Sequence, residues 1–360
     1  MNPNPMIDFF SEFRLPLNRG EQDTYAFLSE HLRYFENKLT ALLIKQRGVN
    51  EFEENIFDEL RKRQESIYNF SKIILGSLKT HLEGDGLAAY RIFLNQMNEM
   101  QDKLLSSSMQ SSSGIINRYF RIRLYRDSEE CNEPKELFHI PFEKSQLAKY
   151  CRYSVAGSPY LYLSGGPSDI SILLAWLETD CPSKFYWSEF AFSNHKKKIE
   201  LLDFTWSPFS NAMTAANYRT WILNKEPFVR NLLVNYVSAY PLMASCSLKV
   251  FEQNRQSKIP EYVIPQMLLE WIGSTGKYRG IKYYSCSRFN EAKKYHAFNV
   301  VLTPQRGTLR TGYCPRLKCE FKVSTPKLME VSDIKHLENI NIELSPNEFE
   351  FIDKSCQEMQ

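Results

Sequence analysis

Apolar residues in the first hundred positions return at helical steps. Over residues 25–44, Leu28, Leu32, Phe35, Leu39 and Leu42 follow one another at intervals of four and three. That spacing stacks them on one helix face and leaves Glu30, Arg33, Glu36 and Lys38 largely elsewhere. A second stripe, Ile56, Leu60, Ile67, Phe70 and Ile74, runs through residues 51–80 and is interrupted at Arg63. Gly84-Asp85-Gly86 breaks the period, and a third helix is expected over 87–105. Long helices with short connections predict an all-helical bundle for residues 1–105. A dimerisation or packing arm is the other reading of the same pattern.

Residues 106–114 read Ser-Ser-Ser-Met-Gln-Ser-Ser-Ser-Gly. Such a stretch offers almost nothing apolar to bury, so 106–116 is expected to be a linker. Beyond it the period drops towards two. Tyr119-Phe-Arg-Ile-Arg-Leu-Tyr125 alternates as a strand does, and residues 160–164 make a second strand behind a Gly-Ser-Pro turn. Gly165-Gly166-Pro167-Ser168-Asp169 can start a helix over 170–179, with Ser168 or Asp169 as its cap. Further strands are expected at 184–192, 199–204, 243–251, 280–285 and 297–303. Helices are expected at 211–238, broken at Pro227, and at 264–272, with Pro265 near the start. The chain therefore reads as α+β, with a mixed domain over 117–330 and a partly ordered C-terminal extension over 331–360.

Composition adds three constraints. With 24 Phe and 20 Tyr, the chain can build packed cores and at least one aromatic-lined surface. The small net charge hides an asymmetry. Residues 1–109 hold 13 Lys/Arg against 16 Asp/Glu, whereas residues 110–360 hold 32 against 26, so the mixed domain is the part that favours an anion. The start lacks the basic-then-apolar pattern of a secretion signal, and no apolar run is long enough to span a bilayer. A cytoplasmic protein without membrane association is expected. In that compartment the eight cysteines are mostly small buried hydrophobes. Cys314 and Cys319 do not have zinc-knuckle spacing, and no metal is expected.

No dinucleotide-binding glycine loop, phosphate-binding loop, zinc-protease helix motif or serine nucleophile elbow occurs. Four features remain. Arg121 and Arg123 share one face of the 119–125 strand; their like charges need an anion or a carboxylate between them, unless the strand is a solvated edge. Arg152 and Tyr153 lie in a turn before the second strand and could grip a phosphate and face a flat ring, or form an ordinary loop. Glu178 ends an otherwise apolar helix, where the dipole mildly disfavours it. It could offset a developing cation or bond to ribose hydroxyls. Ser285 ends a strand, with no histidine or lysine placed as a base for it. The basic run 195–198 has no accompanying stripe of aromatics, which disfavours nucleic acid as a partner.

In order, these segments resemble the RES domain family, named for its arginine, glutamate and serine. The resemblance rests on Tyr119-Phe-Arg-Ile-Arg123, on Arg152-Tyr-Ser-Val-Ala-Gly-Ser-Pro-Tyr-Leu-Tyr-Leu-Ser164 and on Ala175-Trp-Leu-Glu178. It continues through Tyr262-Val-Ile-Pro-Gln-Met-Leu-Leu-Glu-Trp-Ile272, Gly280-Ile-Lys-Tyr-Tyr-Ser285 and Phe298-Asn-Val-Val-Leu302, covering residues 117–305. It implies an ADP-ribosyltransferase-like fold behind the helical bundle and an enzyme that consumes NAD as substrate, with no resident cofactor. It assigns Arg121, Glu178 and Ser285 to catalysis, with Arg123 as an alternative to Arg121. Arg121, Arg123, Arg152 and Tyr153 would hold the dinucleotide. Cleavage of the nicotinamide–ribose bond by water or phosphate is the expected reaction. ADP-ribosyl transfer to a protein and a non-catalytic nucleotide-binding module are the alternatives. Several members are bacterial toxins, so an antitoxin or immunity protein is an expected partner. Homo-oligomerisation is open.

Overall fold

In a computed structural model, residues 5–45, 50–109, 118–127, 129–166, 171–193, 198–208, 227–250, 259–294, 296–305, 307, 309–330 and 349–352 are described. They belong to two compact units. The first comprises 1–105 with 204–271, and the second 106–203 with 272–360. The chain thus enters the helical unit twice, and part of the stretch 117–330 contributes to it. The described residues contain no helix long and apolar enough to cross a membrane.

The first unit holds α1 (Pro5–Glu12), α2 (Thr24–Lys45), α3 (Glu51–Leu82), α4 (Gly86–Met100) and α6 (Pro227–Cys246). The expected stripes are its core: Leu28, Leu32, Phe35 and Leu39 on α2, and Ile56, Leu60, Ile67, Phe70 and Ile74 on α3, are buried. Asn50 caps α3 by accepting from the Glu53 N–H, and Asp85 caps α4 by accepting from the Ala88 N–H. The interruption at Arg63 has a partner, since its Nη1 donates to Asn235 Oδ1 of α6 at 2.8 Å. Helix α1 was not expected from sequence, although Met6, Phe9 and Phe10 are buried on it. Eight residues are too few to establish a period. α6 corrects the strand expected at 243–251. The helix continues to Cys246 with Tyr236–Cys246 buried throughout, and a segment buried on all sides carries no periodicity to separate helix from strand. Residues 211–226 and 251–258, which complete those two expected elements, lie outside the described residues. So do the Ser168 and Asp169 caps and most of the basic run 195–198.

Among the described residues, the second unit is built on a mixed sheet of ten strands. In chain order these are β1 (Ser106–Ser108), β2 (Arg118–Leu124), β3 (Leu161–Gly166), β4 (Lys184–Phe192), β5 (Glu200–Asp203), β6 (Gly280–Tyr283), β7 (Phe298–Leu302), β8 (Phe321–Ser324), β9 (Lys327–Glu330) and β10 (Phe349–Phe351). The order across the sheet is β1-β5-β6-β7-β3-β2-β4-β8-β10, with β9 on β4. Among the described strands of this sheet, only β5 and β6 pair in parallel. The serine-rich stretch contributes more than a link: β1 pairs with β5, and Met109 is buried. A three-residue edge strand is held by backbone bonds, which composition does not report. The other described helices of this unit are α5 (Ser171–Glu178), α8 (Phe289–Lys294) and α9 (Pro315–Glu320), whereas α7 (Val263–Thr275) belongs to the first unit as far as Trp271. Residues 331–348 and 353–360 of the expected C-terminal extension lie outside the described residues, while β10 within it pairs with β8.

Alternation along β2 sets the two faces of the sheet. Tyr119 enters one core with Leu161, Leu163, Phe190, Val300 and Leu302, while Phe120 and Ile122 enter the other with Ile172 and Ala175 of α5. Two glycines allow close approach. A Cβ on Gly165 would meet the Phe298 and Tyr119 rings at 2.7 and 2.8 Å, and one on Gly280 would meet the Val301 carbonyl oxygen at 1.9 Å.

Candidate functional site

Arg121 stands where the sheet opens. Arg118, Tyr119 and Phe120 pair with Gly166, Gly165 and Ser164 of β3. From Arg121 onward, β2 stays registered only with β4, Arg121 opposite Ser188 and Arg123 opposite Tyr186. β2 is therefore an interior strand, not the solvated edge that the sequence left open. Arg121 Nη1 is fully enclosed and meets no hydrogen-bond partner among the described residues. Burial is the main cause that lowers the Arg121 pKa, to about 10, with Tyr162 and Cys151 opposing the shift and Arg123 adding to it. At neutral pH this is an enclosed cation with an unused donor, an arrangement that costs stability unless an anion completes it.

Arg123, two residues on, is differently placed. Its Nη2 donates to Glu129 Oε2 at 2.5 Å in a partly exposed ion pair within the turn after β2. The repulsion between the two guanidiniums is relieved on Arg123's side by that carboxylate. Of the two arginines, Arg121 is the one whose charge remains available.

The turn Cys151–Ser154 closes on itself: the Cys151 N–H donates to the Ser154 carbonyl at 2.9 Å, and the Ser154 N–H to the Cys151 carbonyl at 3.2 Å. The Ser154 and Tyr162 hydroxyls, 2.7 Å apart, tie the turn to β3. Within it Tyr153 is buried at 1% exposure, its ring centroid 4.6 Å from that of Tyr283 on β6. The sequence reading offered this ring to a flat ligand. Instead, packing against Tyr283 occupies it and anchors the segment that carries Arg152. Arg152 is half-buried, and its charge opposes the rise of the Tyr283 pKa, which burial drives well above the ordinary phenol value.

Glu178 is the last residue of α5, the helix packed on β2 and β3, and is exposed. Its carboxylate is near enough to raise the pKa values of both Cys151 and Tyr283. The chain turns sharply after it. Asp180 and Cys181 adopt positive φ angles of 61° and 54°, and Trp176 Nε1 donates to the Pro182 carbonyl at 3.0 Å. Ser285 follows β6, is buried, and accepts from the Arg288 N–H at 3.0 Å, one residue ahead of α8. Its Oγ also lies 3.2 Å from that of Ser287. The hydroxyl thus shapes the β6–α8 turn, two residues beyond Tyr283.

The Cys151–Tyr153 turn is the common neighbour. Cys151 feels both Arg121 and Glu178, and Tyr283 feels Arg152 and Glu178. Sequence reasoning gave no role to Cys151, Tyr162, Tyr283 or His139. The His139 Nε2 accepts from the Cys314 N–H at 2.8 Å, and its Nδ1 lies 2.8 Å from the Ile140 carbonyl oxygen. Those two bonds select the neutral ring with the proton on Nδ1. Burial first, with a smaller contribution from Arg121, lowers its pKa to about 4. The tyrosines gave one signal, their place in the strands expected at 160–164 and 280–285. Cys314 and Cys319 do not pair with each other, for Cys314 is free and Cys319 is disulfide-bonded.

No family model matches the chain, and no solved structure matches it. Over 272 residues the chain is 28% identical to a protein of Bacillus subtilis (strain 168) described as "Putative toxin YopC", an alignment covering 73% of this chain and 59% of that protein. The chain thus spans about three fifths of the length of that relative.

Proposed function

We propose that this chain consumes NAD, cleaving the bond between nicotinamide and ribose, and that it acts as a cytoplasmic toxin or defence effector. One observation carries the chemical part: Arg121 Nη1 is enclosed without a hydrogen-bond partner among the described residues, and the charges of both Arg121 and Glu178 act on Cys151. The RES resemblance supports the same residues, and similarity to a protein described as a toxin supports the biological role.

In this reading, Arg121 and Arg152 hold the pyrophosphate by charge-assisted hydrogen bonds. Tyr153 acts through the turn, since its buried ring fixes where Arg152 stands. As the nicotinamide–ribose bond breaks, positive charge develops on the ribose, and the Glu178 carboxylate offsets it. Ser285 bonds near the nicotinamide ribose through its hydroxyl hydrogen, its oxygen accepting from Arg288. Water or phosphate then takes up the ADP-ribosyl group. Transfer to a protein uses the same site with a different acceptor.

The test is incubation of the purified chain with NAD in the presence and absence of phosphate and of a cell extract, with every product followed by mass. Nicotinamide together with ADP-ribose or its phosphate is expected. A protein gaining the mass of ADP-ribose supports the transfer alternative, and NAD left intact contradicts both.

A further inference from the structure

We propose that Ser188 and Arg121 form one oxyanion-binding pocket, in which the serine hydroxyl and the guanidinium together receive a phosphate group of the dinucleotide. The inference rests on the NAD reading above and deepens it by assigning a binding residue, Ser188, that the family resemblance does not name.

Backbone register places the two side chains. Arg121 of β2 stands directly opposite Ser188 of β4. Directly opposed residues of an antiparallel pair project from the same face, with Cβ atoms about 5 Å apart. Each side chain carries an enclosed polar atom without a hydrogen-bond partner among the described residues, Arg121 Nη1 and Ser188 Oγ. Ser188 is wholly buried, at 0% exposure. A buried hydroxyl and a buried guanidinium nitrogen each cost stability when unpaired, and a serine oxygen is able to accept from an arginine N–H. These two do not bond to each other. Each therefore keeps a hydrogen for a third group, and one acceptor set between them serves both. A water there would satisfy the donors but leave the guanidinium charge unanswered, whereas a phosphate oxygen supplies both the acceptor and the opposite charge.

The surroundings give the pocket its walls. On the same face of β4, Ser188 lies between Tyr186 and Phe190. Tyr186 packs with Leu137, and the Phe138 ring lies nearly parallel to that of Phe190, with centroids 6.1 Å apart and planes 12° apart. The consecutive residues 137 and 138 thus roof the strip that holds Ser188. A short serine set between two aromatic residues makes room beneath that roof for the Arg121 guanidinium. Entry is from the side of β3, which pairs with β2 only as far as Phe120. Arg121 as a whole is only half-buried, so its enclosed nitrogen belongs to a side chain that solvent still reaches.

The experiment titrates the full chain with sodium pyrophosphate and with inorganic phosphate at constant ionic strength, follows thermal melting, and measures NAD kinetics on the same preparations. Pyrophosphate should raise the melting temperature of wild type saturably. Ser188→Ala should leave the ligand-free melt unchanged or slightly higher, because it removes an unpaired buried hydroxyl. It should nonetheless weaken pyrophosphate about tenfold or more, the size of a hydrogen bond to a charged group. KM for NAD should rise by a similar factor with kcat nearly unchanged. Ser188→Cys, which nearly keeps the volume but offers only a weak donor, should behave like the alanine variant. Equal pyrophosphate affinity in wild type and both variants, or no pyrophosphate binding by wild type, overturns the Ser188 inference alone. A loss confined to inorganic phosphate, with KM for NAD unchanged, also overturns it, by giving the pocket to a free phosphate and not to the dinucleotide. Pyrophosphate binding that depends on Ser188 in a chain that leaves NAD intact overturns the NAD reading and leaves the oxyanion pocket standing.

Discussion

Arg121 is held at an energetic cost. A guanidinium nitrogen enclosed without an acceptor among the described residues is a penalty to folding, and side chains kept despite such a penalty are candidates for function. Arg121→Met keeps the length and removes the charge. It should raise the free energy of unfolding by about 1–3 kcal/mol while abolishing NAD cleavage. Urea unfolding and a nicotinamide assay on the same preparation check this. A variant destabilised by a similar amount would make Arg121 a structural anchor instead. At this scale the sequence was informative about which residues to watch and silent about their partners. Arg121 and Arg123 are equivalent on paper, and only the fold reveals that Glu129 pairs with Arg123. Tyr153 was legible as an aromatic beside an arginine, but Tyr283, which occupies its ring, lies 130 residues away along the chain.

Strands and turns place these residues, and two of them are sensitive to identifiable changes. The β6–β7 pair admits no side chain at 280, because a Cβ there would press into backbone, not into a movable side chain. Gly280→Ala should cost about 3 kcal/mol, at the upper end of overpacking penalties, and should reduce activity by displacing Tyr283 and Ser285. A thermal melt unchanged from wild type would contradict it. The segment 137–142 depends on neutral His139, whose pKa of about 4 lies below the ordinary 6.5. The unfolded chain therefore takes up this proton first as pH falls. The stabilisation is complete above pH 6.5, declines through the interval from 6.5 to 4, and is lost below it. Its size is on the order of 3 kcal/mol. His31 of the helical unit, 2.7 Å from the Tyr240 hydroxyl and also lowered by burial to about 4, acts in the same direction. Urea midpoints should fall between pH 7 and pH 4.5, and a flat profile would refute the assignment of both rings as neutral. Amphipathic helices α2 and α3 were legible because one face meets solvent. The end of α6 was not, because burial on every side erases the period that separates helix from strand.

For the whole molecule, connectivity matters more than composition suggested. The helical unit is completed by residues 204–271, and α6 supplies partners that 1–105 cannot provide. Tyr240 stacks on Phe35 with ring centroids 4.6 Å apart, and Arg19 forms a buried 2.5 Å ion pair with Glu261. A fragment ending at residue 105 should therefore unfold without a sharp transition and bind hydrophobic dyes, whereas the full chain should not. A cooperative transition in that fragment would contradict this. The serine-rich stretch at 106 was legible as a change in organisation, but no local pattern reports that the chain later returns to the first unit. The proposed site was legible to a similar degree: the arginine, glutamate and serine segments stand in order along the chain, and nothing in that order reports which face of the sheet each side chain takes. The central claim is that Glu178 faces a ribose carbon that becomes positive while Arg121 holds the anion. Its most direct test is the rate of nicotinamide release from NAD by the full wild-type chain and by Glu178→Gln, each verified as folded by circular dichroism. The account predicts release by wild type and a drop of about a hundredfold or more in the variant, the size expected when an electrostatic partner of the transition state is removed. Equal rates in the two proteins would contradict it.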